Sequence, residues 1–470
     1  MPTKNTFLPL AVIACLIIGC SNPSSTNKGL QSDDNTLVTR LDSIGKAFIE
    51  KGEIMGLSLA IMKSKDTLFN KGFGFKDIER TQPITNETRF LMASISKLIG
   101  ATLVMKLVEE GKLSLNQTLG ELLPDFPNQV QAQTITLRHM LSHTSGLQDY
   151  ASEIDSVYVR TGIPPTKTDF YNFFKDKELL FEPGSNYSYC NSGFLLMGMI
   201  VEKVSGNSFQ QEIDRIINNP TNIQLELIAS TASNPQMSNY FELKDSTFIP
   251  YPFWTWIKGD GGLTATAIEL AQFPYNWANA KIIKENAFIE MTKPITLTDG
   301  ITTGYGLGVR NGIFYNEKII GHTGGHKSTY SIMVYFPERD LSFVIFINTD
   351  NSPTSVREIF GEFARAVLSK PIPDYRNSTI TSDNLSVYEG SYGTFDYKTN
   401  NLSKIELRPN NSFYYCIGQD CERMYPMGNH KFWIEKWPYD YVEFGLNEDG
   451  HAVVLKEFYT GFYAILRKRI

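Results

Sequence analysis

The sequence has no surplus of positive charge. Its 44 Lys and Arg stand against 50 Asp and Glu, a formal net charge of −6. The chain as a whole does not attract a phosphate backbone, which argues against a nucleic-acid partner. It has no G-x-S-x-G elbow, which argues against the α/β-hydrolase arrangement. The apolar run at residues 7–18 falls short of the ~20 residues that a membrane-spanning helix needs. His139 and His143 have a spacing that can hold zinc, but no Glu takes the metalloprotease position and no third ligand is evident. They read as structural, and neither metal nor cofactor is expected. No internal repeat is apparent.

What is present is ordinary globular material, with 42% hydrophobic and 20% charged residues. At 470 residues, the length suggests two or three units at ~150 residues each. The first residues stand apart. A short polar start with Lys4 leads into the apolar run, which ends Leu16-Ile17-Ile18-Gly19-Cys20. A charged start, a short apolar stretch and a small residue before a cut describe a secretory signal. The segment resembles a bacterial lipobox, implying cleavage before Cys20, lipidation there, and membrane anchoring in the cell envelope. The polar tract that follows reads as a tether over residues 20–35. Cys15 leaves with the signal. Cys416 and Cys421 flank Ile-Gly-Gln-Asp, a plausible hairpin tip. A disulfide and a pair of reduced thiols are both open there.

Apolar spacing at Leu37, Leu41, Ile44 and Phe48 predicts an amphipathic helix over residues 35–51. Strands are expected at 56–62 and 67–74, then a helix over 94–110 stopped by Gly111. A mainly helical, loop-rich stretch runs from 115 to about 280. Strand signals return at 305–309, 313–320, 329–336 and 341–347, with a closing helix at 354–368. Consecutive strands joined by short turns argue for an antiparallel sheet. Residues 369–384 read as a linker. Residues 385–470 read as a separate small all-β barrel or sandwich, with turns at Pro409-Asn410-Asn411 and 447–450. The fold class is thus α+β: an antiparallel sheet flanked by helices with a helical subdomain over residues 36–368, then the β unit.

Three constellations carry chemistry. Ser94-Ile95-Ser96-Lys97 is an S-x-x-K motif, which alone says little, since Ser25 and Ser43 also begin one. Ser94, however, sits at the start of a strong helix, where free amide hydrogens favour a developing alkoxide. Lys97 lies one turn on, and desolvation with nearby cations favours the neutral amine that can take the serine proton. Tyr189-Cys190-Asn191 follows a Pro-Gly loop and offers a phenol for proton relay beside an amide for orientation. His322-Thr323-Gly324-Gly325 enters a strand with two small residues, so a substrate backbone can lie alongside. The amides of Ser94 and Gly325 could then hold an oxyanion.

In this order the motifs resemble the β-lactamase-related serine hydrolases: class C β-lactamases, D-Ala-D-Ala carboxypeptidases, and related esterases and D-aminopeptidases. Further matches are residues 135–147 (Ile-Thr-Leu-Arg-His-Met-Leu-Ser-His-Thr-Ser-Gly-Leu), Gly259-Asp260-Gly261-Gly262-Leu263 and Tyr305-Gly306-Leu307-Gly308. The resemblance implies that Ser94 is acylated and that Lys97 and Tyr189 share the acid and base work, in either order. It implies that Asn191, His322, Thr323 and Gly324 bind substrate, a small peptide, lactam or ester. His322 stands where many relatives have lysine, so activity is expected to follow its protonation. Cys190 fills a slot where Ser or Ala is usual. Three activities follow from the resemblance: a carboxypeptidase or β-lactamase, an esterase with the same site, or a silent sensor of peptidoglycan or β-lactams.

Overall fold

The computed structural model describes residues 28–151, 153–154, 157, 161, 163–227, 234–251, 258–327, 329–378, 384–394, 402–409 and 412–470. The expected signal, Cys20, most of the tether, and the turn at Asn410-Asn411 lie outside these residues. No helix among them is long and apolar enough to cross a membrane.

A 14-stranded sheet organises the chain. Its first strands are β1 (Gly56–Lys63) and β2 (Asp66–Gly74), followed far along the chain by β3 (Arg310–Phe314), β4 (Glu317–His326), β5 (Thr329–Phe336) and β6 (Leu341–Ile347). Their spatial order is β3-β4-β5-β6-β1-β2, and each neighbouring pair is antiparallel. β6 is buried at every position because helices cover both faces. On one face, α1 (Lys28–Glu50) and α5 (Val356–Val367) pack against Leu59, Ile61, Phe343 and Ile345. α5 buries Val356, Ile359, Phe360, Phe363 and Ala364, the three-and-four spacing of an amphipathic helix. On the other face, α2 (Ser96–Glu109), α3 (Asn191–Ser205) and α4 (Ala267–Ala278) share a core with Ala60, Met62, Met333, Val344 and Phe346.

Three local readings change. α1 begins at Lys28, inside the segment expected as tether. Residues 305–309 form a loop, and 313–320 hold a turn, because Tyr315 and Asn316 both take positive φ (49° and 64°). That pair bends the chain between β3 and β4 in a two-residue hairpin connection.

The C-terminal strands are β7 (Gly390–Gly393), β8 (Leu402–Arg408), β9 (Ser412–Ile417), β10 (Asp420–Gly428), β11 (Lys431–Ile434), β12 (Tyr441–Leu446), β13 (Ala452–Tyr459) and β14 (Phe462–Arg469). They pair in chain order, and β7 pairs with β14 to close a barrel. Cys416 and Cys421 are directly opposite across β9 and β10 and form a disulfide. The barrel is not the detached unit expected: β14 also pairs with β3 at Phe462 and Gly312, so barrel and hydrolase share one sheet. The apolar cluster of Tyr187, Tyr305, Phe458 and Tyr463 spans the junction.

Candidate active site

Ser94 lies in a 3-10 turn, Ala93–Ile95, that feeds α2. The expected helix at 94–110 therefore starts two residues late as an α-helix. Ala93 carries a left-handed φ of 47°, a conformation that costs a non-glycine residue energy and aims the next side chain sharply. The turn is pinned from behind. Met92 donates its N–H to the Leu263 oxygen at 2.7 Å, and Ser331 Oγ donates to the Met92 oxygen at 2.7 Å.

Lys97 is fully buried, with 0% exposure. Its Nζ reaches Ser94 Oγ at 3.0 Å and donates to the Asp260 main-chain oxygen at 2.8 Å. It also lies 5.1 Å from the Tyr189 ring centroid. The serine, the amine and the phenol ring are thus gathered at one point. A hydroxyl bonded to an amine that is held on its other side can pass its proton along that contact.

Asn191 is the first residue of α3. Its Nδ2 and its backbone N–H both donate to Asp149 Oδ2, at 2.9 and 3.0 Å. A carboxylate accepts only, so the amide nitrogen faces Asp149 and the carbonyl oxygen is left for an N–H donor. Between Tyr189 and Asn191, Cys190 packs inward. Its Sγ donates to the Leu147 oxygen at 3.3 Å, and burial pushes its thiol up to about 12. A thiol so held is a packing group.

His143 takes a left-handed φ of 58° and accepts the Cys190 N–H on Nδ1 at 3.0 Å. Its ring lies 4.2 Å from that of Tyr189, tilted by 37°. His139 accepts the Thr136 N–H on its own Nδ1, closing a capping box. Each histidine thus holds local backbone.

His322, Thr323, Gly324 and Gly325 lie on β4 beyond Gly321, where the pairing with β3 ends. This leaves an unpaired strand edge, among the described residues, packed against the Ser94 turn. A Cβ on Gly324 would sit 2.2 Å from the Met92 oxygen and 2.1 Å from Ser331 Oγ. Only a bare backbone passes there. A substrate strand can add to such an edge through main-chain bonds.

The expectation that His322 titrates near neutrality is corrected. The ring is 0% exposed. Burial, then the nearby Arg310 and Lys97 charges, holds it well below the usual imidazole range. Its Nδ1 is 2.6 Å from the Thr323 oxygen, which can only accept, so Nδ1 carries the proton. Nε2 then accepts from Tyr305 OH at 2.8 Å. His322 is a neutral spacer.

The cation missing from His322 is found on the neighbouring strand. Arg310 opens β3 and faces Gly321 in register. Its guanidinium carbon lies 5.2 Å from the Tyr189 ring centroid and 5.7 Å from that of Tyr305. Sequence reasoning passed over Arg310, although it stands two residues beyond the quoted Tyr-Gly-Leu-Gly. Asp149, two beyond the quoted Gly-Leu, and the Asp260 side chain were passed over likewise. The Asp260 carboxyl is buried and accepts from Tyr150 OH at 2.6 Å. Burial raises it to about 6, against the opposing pull of Lys97 and Tyr150.

A helix-covered antiparallel sheet with a serine and a buried lysine one turn apart defines the class: a serine acyl hydrolase. Within that class, the beta-lactamase family model matches residues 41–364, and the chain belongs to this family of serine hydrolases. It is 24% identical over 449 residues to Penicillin-binding protein 4* of Bacillus subtilis (strain 168), covering 89% of this chain and 95% of that protein. It is 26% identical over 305 residues to a D-aminopeptidase of Gluconobacter oxydans, covering 62% of this chain and 55% of that one. Among solved structures, the octameric penicillin-binding protein homologue from Pyrococcus abyssi matches with a TM-score of 0.63 at 24% identity, over 92% of this chain and 99% of that one. The D-amino acid amidase from Ochrobactrum anthropi matches with a TM-score of 0.62 at 20% identity, over 71% and 99%. These structural likenesses concern the fold.

Proposed function

We propose that this protein is an envelope serine hydrolase that cleaves peptides ending in D-alanine, or a closely related amide, through an acyl-enzyme on Ser94. The observation that carries this reading is the 3.0 Å contact from Lys97 Nζ to Ser94 Oγ, with Tyr189 against the same amine. Ser94 Oγ attacks the scissile carbonyl while its proton passes to Lys97. The proton then goes to the leaving amine, by way of Lys97 or Tyr189. Water attacks the ester and restores the serine. Ser94 and Gly325 amides are the oxyanion donors in this reading. The Asn191 carbonyl oxygen accepts a substrate N–H, and the His322–Gly325 edge pairs with substrate backbone.

Preference for a substrate with a terminal carboxylate is supported by Arg310, whose guanidinium lies at the tyrosine end of the site. An arginine recognises a carboxylate by paired donors. Envelope location is supported by the lipobox-like Leu16 to Cys20 and by the Cys416–Cys421 disulfide, which suits an oxidising compartment. Anchoring through lipid on Cys20 belongs to the same proposal.

The test is intact-mass spectrometry and turnover with a D-Ala-D-Ala peptide, penicillin, nitrocefin and a short p-nitrophenyl ester. Peptide turnover with a transient adduct on Ser94 is expected. Ester turnover without peptide cleavage makes it an esterase. A persistent penicillin adduct without any turnover makes it a sensor.

A further inference from the structure

We propose that the last hairpin of the C-terminal barrel is a specificity element of the active site, fixing Arg310 through the main-chain oxygen of Tyr463. This rests on the carboxylate preference proposed above.

The contact is direct. Arg310 Nη1 donates to the Tyr463 oxygen at 2.7 Å. Tyr463 belongs to β14, the final strand of the barrel, more than 150 residues along the chain. One guanidinium arm held by a backbone carbonyl orients the planar group over Tyr189, because its donors form a rigid fork. Arg310 Nε is buried without a hydrogen-bond partner among the described residues.

The hairpin is fitted closely to the site. Ile313 donates its N–H to the Gly461 oxygen at 3.0 Å. A Cβ on Gly304 would lie 2.2 Å from Tyr463 Cβ. The Tyr463 ring meets Tyr187 edge-on at 5.3 Å, and Tyr187 packs on His143 and Tyr305. The back wall of the tyrosine end of the site is therefore made jointly by hydrolase and barrel. A tethered accessory module needs no such fit. Arg310 on β3 is positioned by a residue outside the hydrolase fold.

The experiment compares substrates with and without a carboxylate in the leaving group. The pairs are an N-acylated D-Ala-D-Ala peptide with its C-terminal amide, and a m-carboxyphenyl ester with its phenyl counterpart. Wild type favours the acid in each pair it cleaves. Arg310→Gln loses that preference by about tenfold or more, as expected for one charge-assisted contact. Gly304→Ala pushes Tyr463 away and lowers the acid-to-neutral ratio several-fold through KM, while neutral-ester turnover is retained. Circular dichroism and melting confirm that both variants are folded.

A folded Gly304→Ala with the wild-type ratio, beside an Arg310→Gln that has lost it, overturns the proposal. So does a wild type with no acid preference in either pair. Acid preference in the esters without peptide cleavage overturns the peptidase reading alone.

Discussion

Buried charge is handled in two ways in this chain. In the barrel, Glu457 is 1% exposed and Arg467 3%. Glu457 Oε1 accepts from Ser403, Tyr415 and Arg467, and Oε2 from Tyr459. Both oxygens are used. At the candidate site, Asp260 Oδ1, His143 Nε2 and Arg310 Nε are buried without partners among the described residues. Unpaired buried polar atoms cost free energy, so a fold retains them where something else is gained. The barrel network is an internal brace. The site is held open to chemistry, and its strained Ala93 and His143 backbones lie beside the same groups.

Two substitutions test this contrast hardest. Ser94→Ala is expected to lower turnover by at least ~1,000-fold without lowering the melting temperature. A variant with substantial residual turnover would break the assignment of the nucleophile. In the barrel, Glu457→Ala removes the carboxylate paired with the buried Arg467 and is expected to cost about 3–5 kcal/mol. Urea unfolding measures it. An unchanged midpoint would mean the network is ornamental and the two regions are not different in kind.

The sheet strands and α5 were legible because their apolar patterns are clear, as at 341–347 and at Val356, Ile359 and Phe363. The turn at Tyr315-Asn316 was missed because only positive φ distinguishes it from strand. Ser94, Lys97, Tyr189 and Asn191 could be picked out because their motifs keep fixed local spacing. Arg310 and Asp149 could not. What brings them to the candidate site is pairing between distant segments, the β3–β4 register and the approach of 149 to α3. His322 was misjudged as a titrating group. Its charge depends on burial and on Tyr305, neither of which is written in His-Thr-Gly-Gly. The barrel's union with the hydrolase sheet rests on a single register contact, Phe462 with Gly312, which no local pattern announces.

A smaller effect sharpens the electrostatic side. The Asp260 carboxyl sits at about 6, above its ordinary 3.8. The native state therefore binds more protons than the unfolded state between these values. Its contribution to stability is fully present below the lower value and is lost as pH rises through the higher one. Asp260→Asn removes this dependence. Relative to wild type, the variant is expected to gain stability on going from about pH 4 to about pH 8, measured by thermal melts across that range. Parallel curves would mean that Asp260 is ionised in both states.

The smallest expected effect concerns His322. Its native imidazole titrates well below 6.5, so the native state binds fewer protons there than the unfolded state. The stability it contributes is present above about pH 6.5 and declines as pH falls towards the native value. His322→Gln is expected to keep the shape of the wild-type rate profile around neutral pH, because burial holds the His322 imidazole well below its usual range in the folded enzyme. Its stability deficit against wild type should narrow in acid, where wild type alone pays to keep a ring neutral. A limb near pH 6.5 that vanished in the variant would return His322 to the role of a titrating group. It would also weaken Arg310 as the cation of the site.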